Sequence, residues 1–157
     1  MAKKRRSKPE TARILIVEAR YYTDISDDLL KGASEALRQA KAEFDCIGVP
    51  GALEIPPAIA IVLNAANKKR RPYDGVVALG CVIQGDTFHF DVVATQSARG
   101  LMDLSVAQQI PIGNGILTVD TQSQAQARAN PAEGNKGGEA ARAALSLVAL
   151  KRSLAGR

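Results

Sequence analysis

The stretch "YDGVVALGCVIQGDTFHFD", residues 73–91, decides the fold. Its opening run, 73–83, is almost entirely apolar, without the alternation of a strand that has one wet face. A short run of that kind is covered on both sides, as the central strand of a parallel sheet is by its flanking helices. "QGDT" then leads into a helix expected from about Phe88 to Gln108, and Thr87 stands where a cap would be. The single histidine of the chain, His89, lies at that strand-to-helix junction between two phenylalanines.

Outward from this segment the same grammar repeats. "RILIVEA" (13–19) reads as a buried strand. "SDDLLKGASEALRQAKA" (26–42) reads as a helix with Ser26 as N-cap, Asp27 and Asp28 in the first turn, and an apolar stripe through Leu29, Ala33 and Leu37. "FDCIGV" (44–49) is a second strand, and "VPGALEIPPAIAIVLNAANKKRR" passes through a Pro-Gly turn into a helix with prolines in its first turn. Lys68, Lys69, Arg70 and Arg71 form its solvated, dipole-complementing end. "IPIGNGILTV" (110–119) is a fourth strand whose glycines leave room for a close neighbour, and helices near 121–129 and 135–152 close the chain. Strands and helices alternating in this way predict a single-domain, three-layer αβα sandwich on a flavodoxin-like, four-stranded parallel sheet. Ligands of such sheets bind beyond the carboxyl ends of the strands, which selects loops 18–25, 49–55, 80–89 and 113–120.

Bulk properties narrow the function classes. Hydrophobic residues make up 46% and charged residues 24% of 157, ordinary for a globular protein with one core. No run is long and apolar enough for a membrane helix, and no apolar segment follows the charged start as a signal peptide requires, so a cytoplasmic location is expected. Cys46 and Cys81 both sit in strand-like runs and read as reduced, buried thiols rather than a disulfide or zinc ligands. The net charge of +5 is local: residues 1–13 hold six Lys/Arg and one Glu, and the other 144 hold fifteen of each sign. Residues 1–12 are therefore read as a basic, flexible arm ahead of a domain spanning 13–157. Such an arm is a solvating tail more often than an RNA- or surface-binding one, and nucleic acid is not an expected partner.

The candidate chemistry gathers at the selected loops. A helix start after "QGDT" offers free N–H groups and a threonine hydroxyl to an anion, with His89 in the first turn as a group able to exchange protons. Arg128 suits phosphate, Tyr21 or Tyr22 could stack on a flat heterocycle, and Glu54 could hold polyol hydroxyls. Each has a plainer alternative: a solvated arginine, core-capping tyrosines, a dipole-complementing acid, a backbone-bonded histidine. A Cys81–His89 nucleophile pair is the other option, disfavoured because Cys81 lies inside an apolar strand.

"VPGALEIP" (49–56), "YDGVVALGCVIQGDTFHFD" (73–91), "GILTVDTQSQAQAR" (115–128) and "NKGGEAARAAL" (135–145) closely resemble the 6,7-dimethyl-8-ribityllumazine synthase family, co-linearly from about residue 13 to 150. The resemblance implies the penultimate step of riboflavin biosynthesis. In it, 5-amino-6-(D-ribitylamino)uracil condenses with 3,4-dihydroxy-2-butanone 4-phosphate to the lumazine, phosphate and water, with no metal or organic cofactor. It further implies that His89 transfers protons, and that Asp86, Thr87 and Arg128 hold the butanone phosphate, Lys136 being a secondary contact. Tyr21 would stack on the pyrimidine, Ala52, Leu53 and Glu54 would hold the ribityl chain, and the strand end Cys81, Val82 and Ile83 would read the uracil edge. Asn114 and Arg128 would come from a neighbouring subunit. Three positions depart from the family pattern: Tyr21 for phenylalanine, Leu53 for an aromatic, and Asn114 for phenylalanine, the last bearing on affinity.

The resemblance also implies a homopentamer, in some members stacked into an icosahedral 60-mer, with the loop 129–135 in the region thought to influence that choice, and an association with riboflavin synthase. A non-catalytic flavin- or lumazine-binding relative is the alternative function. An RNA- or surface-binding protein acting through residues 3–8 is the third.

Overall fold

In the computed structural model, which describes residues 10–155, four parallel strands lie in the order β2-β1-β3-β4. They are β1 (Arg13–Ala19), β2 (Glu43–Val49), β3 (Gly75–Ile83) and β4 (Ile112–Val119). Six of the seven residues of β1 are buried, including all of Ile14–Ala19, and β3 is buried from Gly75 to Gly80. These are the two inner strands, so their continuous apolar runs are explained by helices on both faces. The edge strands alternate instead, β4 strictly so along Gly113, Gly115, Leu117 and Val119.

Odd and even positions sort the helices into layers. Ile14, Ile16, Val77, Leu79, Leu117 and Val119 pack with α1 (Thr23–Gln39), α4 (Gln122–Ala129) and α5 (Lys136–Leu154). Leu15, Val17, Val76 and Ala78 pack with the short 3₁₀ turn Ala52–Glu54, α2 (Ile55–Lys68) and α3 (His89–Gln108). The result is the expected three-layer sandwich. Each fully buried Leu, Ile or Val contributes roughly 1.5–3 kcal/mol over leaving it in water.

Two close approaches require glycine. A Cβ on Gly113 would lie 1.9 Å from the Ala140 carbonyl oxygen, and one on Gly137 would lie 2.0 Å from that of Leu29. The room that the glycines of β4 leave is thus filled by α5, which in turn crosses α1 at backbone contact.

Several local expectations are corrected. Helix α1 starts at Thr23 with Tyr22 at the cap position and no side chain capping it. Ser26 lies inside the helix, buried, its N–H donating to the Tyr22 carbonyl at 2.9 Å. The run Ser-Asp-Asp resembles a cap, but burying Ile25 beside Leu29 draws the helix a turn earlier. Thr87 does not cap α3 either: Phe88 occupies that position in a helical conformation without a side-chain bond. Cys46 is exposed, because β2 is an edge strand, and Cys81 is half-buried; both are free thiols. The prolines in the first turn of α2 stand as expected, and α4 and α5 are capped by Thr121 and Asn135, whose side chains accept from Gln124 N and Gly138 N.

Residues 1–9, most of the basic arm, lie outside the described residues. Residues 10–12 are joined to the fold: the Glu10 carbonyl accepts from Arg152, and the Ala12 carbonyl from Glu43 N at 2.9 Å. Among the described residues no helix is long and apolar enough to cross a membrane.

Candidate active site

At the carboxyl edge of the sheet the ends of β1, β2 and β3 open into a cleft of about 470 Å³. The loop after β1 supplies Tyr21, which is 76% exposed, and Tyr22. Their rings meet edge to face with centroids 4.9 Å apart. The loop after β2 supplies Pro50, Gly51 and the turn Ala52–Glu54; the end of β3 supplies Cys81, Val82 and Ile83. Beyond it come Gly85, Thr87 and, from the first turns of α3, His89, Phe90 and Val93. Of the residues singled out in the sequence, Tyr21, Ala52, Leu53, Glu54, Cys81, Val82, Ile83, Thr87 and His89 all line this one cleft.

The chemistry of the lining is divided. Burial pushes the Cys81 thiol up to about 11, so it stays protonated near neutrality and is a poor nucleophile, which removes the Cys81–His89 pair. A Cβ on Gly51 would stand 3.0 Å from a carboxylate oxygen of Glu54, so the bare backbone there lets that carboxylate fold over the turn. No side chain caps α3, whose first internal bond runs from Val92 N to the Phe88 carbonyl at 3.3 Å; the N–H groups before it are left to a ligand or water. Among the described residues, no hydrogen bond or ion pair engages the side chains of Glu54, Thr87 or His89. Nor do three His, Cys, Asp or Glu side chains come together there as a metal-ligand set.

Residues 11–152 match the sequence profile of 6,7-dimethyl-8-ribityllumazine synthase. The chain belongs to that family. It is 60% identical over 144 residues to the 6,7-dimethyl-8-ribityllumazine synthase of Nitrobacter hamburgensis, covering 92% of this chain and 88% of the relative. The enzyme of the same name from Azorhizobium caulinodans is 62% identical over 141 residues, 90% of this chain and 87% of its own. 6,7-dimethyl-8-ribityllumazine synthase 1 of Rhodopseudomonas palustris is 58% identical over 144 residues.

Four of the candidate residues do not line the cleft. Asp86 is exposed on the loop before α3. Asn114 faces outward from β4, its side-chain oxygen accepting from Ile116 N at 2.9 Å. Arg128 is exposed on α4 and, among the described residues, donates only to the Gln124 carbonyl, one helical turn back, at 3.2 Å. Lys136 is paired with Glu139 at 3.0 Å. Tyr22, the other aromatic considered for stacking, also lines the cleft, and Pro50, Gly51, Phe90 and Val93 belong to the lining although sequence reasoning assigned them no role. The pattern offered one signal for them: each lies within two positions of, or one helical turn from, a residue it did select.

Proposed function

We propose that the protein condenses 5-amino-6-(D-ribitylamino)uracil with 3,4-dihydroxy-2-butanone 4-phosphate to 6,7-dimethyl-8-ribityllumazine, releasing phosphate and water. The observation that carries this reading is the single cleft that joins an aromatic plate, a carboxylate and an imidazole beside an uncapped helix start, in a chain of this family. Tyr21 stacks on the pyrimidine, the backbone at Cys81, Val82 and Ile83 reads its edge, and Glu54 with Ala52 and Leu53 holds the ribityl hydroxyls. The phosphate sits at the start of α3 with Asp86, Thr87 and Arg128.

The chemistry needs positioning and proton transfer, and no cofactor. The uracil amine adds to the ketone and loses water to give an imine. Phosphate then leaves as a proton is removed from carbon, and closure of the second ring with loss of water completes the lumazine. His89 is the group placed to carry those protons, and the anion site holds the leaving phosphate.

The reading includes a homo-oligomer, a pentamer that can stack further into an icosahedral shell. Two observations support it: Asn114 and Arg128 stand apart from the cleft of their own chain, and Ile61, Phe88, Met102 and Val106 on the α2/α3 side are exposed apolar side chains. A cytoplasmic location and association with riboflavin synthase complete it. The alternative, a non-catalytic lumazine or flavin binder, has no use for an unpaired His89 beside Thr87.

A direct assay separates the two. Mixing both substrates with purified protein and following lumazine fluorescence should give a rate well above the uncatalysed background that vanishes without the butanone phosphate. Tight lumazine binding with no acceleration would replace the enzyme reading with the binder.

A further inference from the structure

Between Ala19, the last residue of β1, and Thr23, the first of α1, the chain has three residues in which to reverse direction. No side chain caps the helix that follows. The turn is braced in another way. The Arg20 guanidinium donates through Nη1 to both carboxylate oxygens of Glu18, at 3.2 and 3.1 Å, and through Nη2 to Asp27. Glu18 is only 6% exposed, on the inner strand. A carboxylate so placed is costly to leave unpaired, which ties the guanidinium firmly at that end. Asp27 lies in the second turn of α1. A planar, forked cation suits such a strut because it can engage two carboxylates at fixed directions.

Tyr21 is the residue next to that strut. Its ring lines the cleft and, among the described residues, makes one aromatic contact, the edge-to-face meeting with Tyr22. Nothing else about so exposed a side chain determines where its plane lies, so the backbone bearing it must be fixed from both sides: by Arg20 before it and by the helix start after it.

We propose that Arg20, held by Glu18 and Asp27, is a positioning residue that presets the Tyr21 ring for stacking on the pyrimidine substrate. The proposal rests on the stacking role given to Tyr21 above. Its effect falls on binding of the ribitylaminouracil alone, because Arg20 does not line the cleft and its guanidinium bonds Glu18 and Asp27, neither of them a residue given to the phosphate or to proton transfer.

The test is steady-state kinetics on the assembled enzyme with each substrate varied in turn. Arg20→Ala should raise the KM for the ribitylaminouracil about fivefold, the effect of freeing one ordered side chain. It should leave kcat and the KM for the butanone phosphate unchanged, and it should add nothing in a Tyr21→Ala background. Asp27→Asn, at a side chain 62% exposed, breaks the outer arm without touching the core and should give a smaller change of the same kind. It carries the test should Arg20→Ala fail to fold. An unchanged pyrimidine KM in a folded variant overturns the proposal. So does an Arg20→Ala effect that persists in full without the Tyr21 ring, or a joint loss of kcat and both KM values, which would mark a merely structural strut. Failure of the stacking role shows separately, as a Tyr21→Ala enzyme with unaltered pyrimidine KM, and takes the proposal with it.

Discussion

The two ends of one sheet are built on opposite terms. At the amino edge polar groups are used up. The Arg13 N–H donates to Asp74 at 2.8 Å, its guanidinium pairs with Asp45 at 3.2 Å and lies 4.0 Å over the Tyr73 ring, and the Tyr73 hydroxyl donates to the same Asp45 at 2.5 Å. Arg152 closes the cluster on Asp74 at 3.3 Å. At the carboxyl edge Glu54, Thr87 and His89 face an open cleft without protein partners among the described residues. Parallel strands make the difference possible, since the helices entered from their carboxyl ends begin there with free N–H groups and a positive dipole end. Paired groups hold a structure; unpaired ones on a rigid frame are available to a ligand.

The largest break in that contrast should come from His89→Ala. Turnover is expected to fall about a hundredfold or more, with pyrimidine binding and the melting temperature little changed because the ring holds no protein bond. Full activity in stopped-flow and steady-state assays would remove the histidine from the chemistry.

Arg128→Ala should raise the KM for the butanone phosphate about tenfold, as loss of one charge-assisted bond does. Because Arg128 does not line its own chain's cleft, co-refolding equal amounts of the His89→Ala and Arg128→Ala proteins should restore intact sites at about a quarter of the positions in a mixed ring. Mixtures no more active than their components would place both residues in one subunit.

At the closed edge effects should be small and thermodynamic. The hydrogen bond from Tyr73, then Arg13, holds the Asp45 carboxyl below its ordinary value. A carboxylate depressed on folding stabilises the protein above its unfolded pKa, near 3.9, and that contribution is lost as pH falls through the folded value. The side chain is 56% exposed, so Asp45→Asn should cost less than about 1 kcal/mol near neutrality. The difference in urea midpoint from wild type should shrink to nothing in strong acid, with catalysis intact throughout. A gap that persists in acid would show that shape, not charge, matters at Asp45.

Much of this was legible in the chain. The unbroken apolar runs of β1 and β3 announce strands covered on both faces, and helix stripes such as Leu29, Ala33 and Leu37 repeat with the right period. Legibility failed where a local signal met a tertiary demand. Ser26 offers cap chemistry but sits in the core because Ile25 and Leu29 must be buried. Cys46 has the neighbours of an inner strand and lies on an outer one. For the site, His89, Thr87, Glu54, Tyr21 and Arg128 were marked by residue chemistry and position alone, whereas Asn114 was named through the family pattern; Asn114 and Arg128 stand apart from the cleft.

By itself the sequence determined the alternation of strands and helices, the covered character of the central strands, the family, and the set of reactive side chains. Those follow from periodicity and residue chemistry, which act over a few positions. Only the tertiary structure decided that β1 and β3 are the inner strands and that three separate loops share one cleft. It also decided that Glu18, Arg20 and Asp27 form a strut and that Gly113 and Gly137 lie against helix backbone. Each of these depends on which segments meet across tens of residues, and burial of the whole core, not any local preference, selects that meeting.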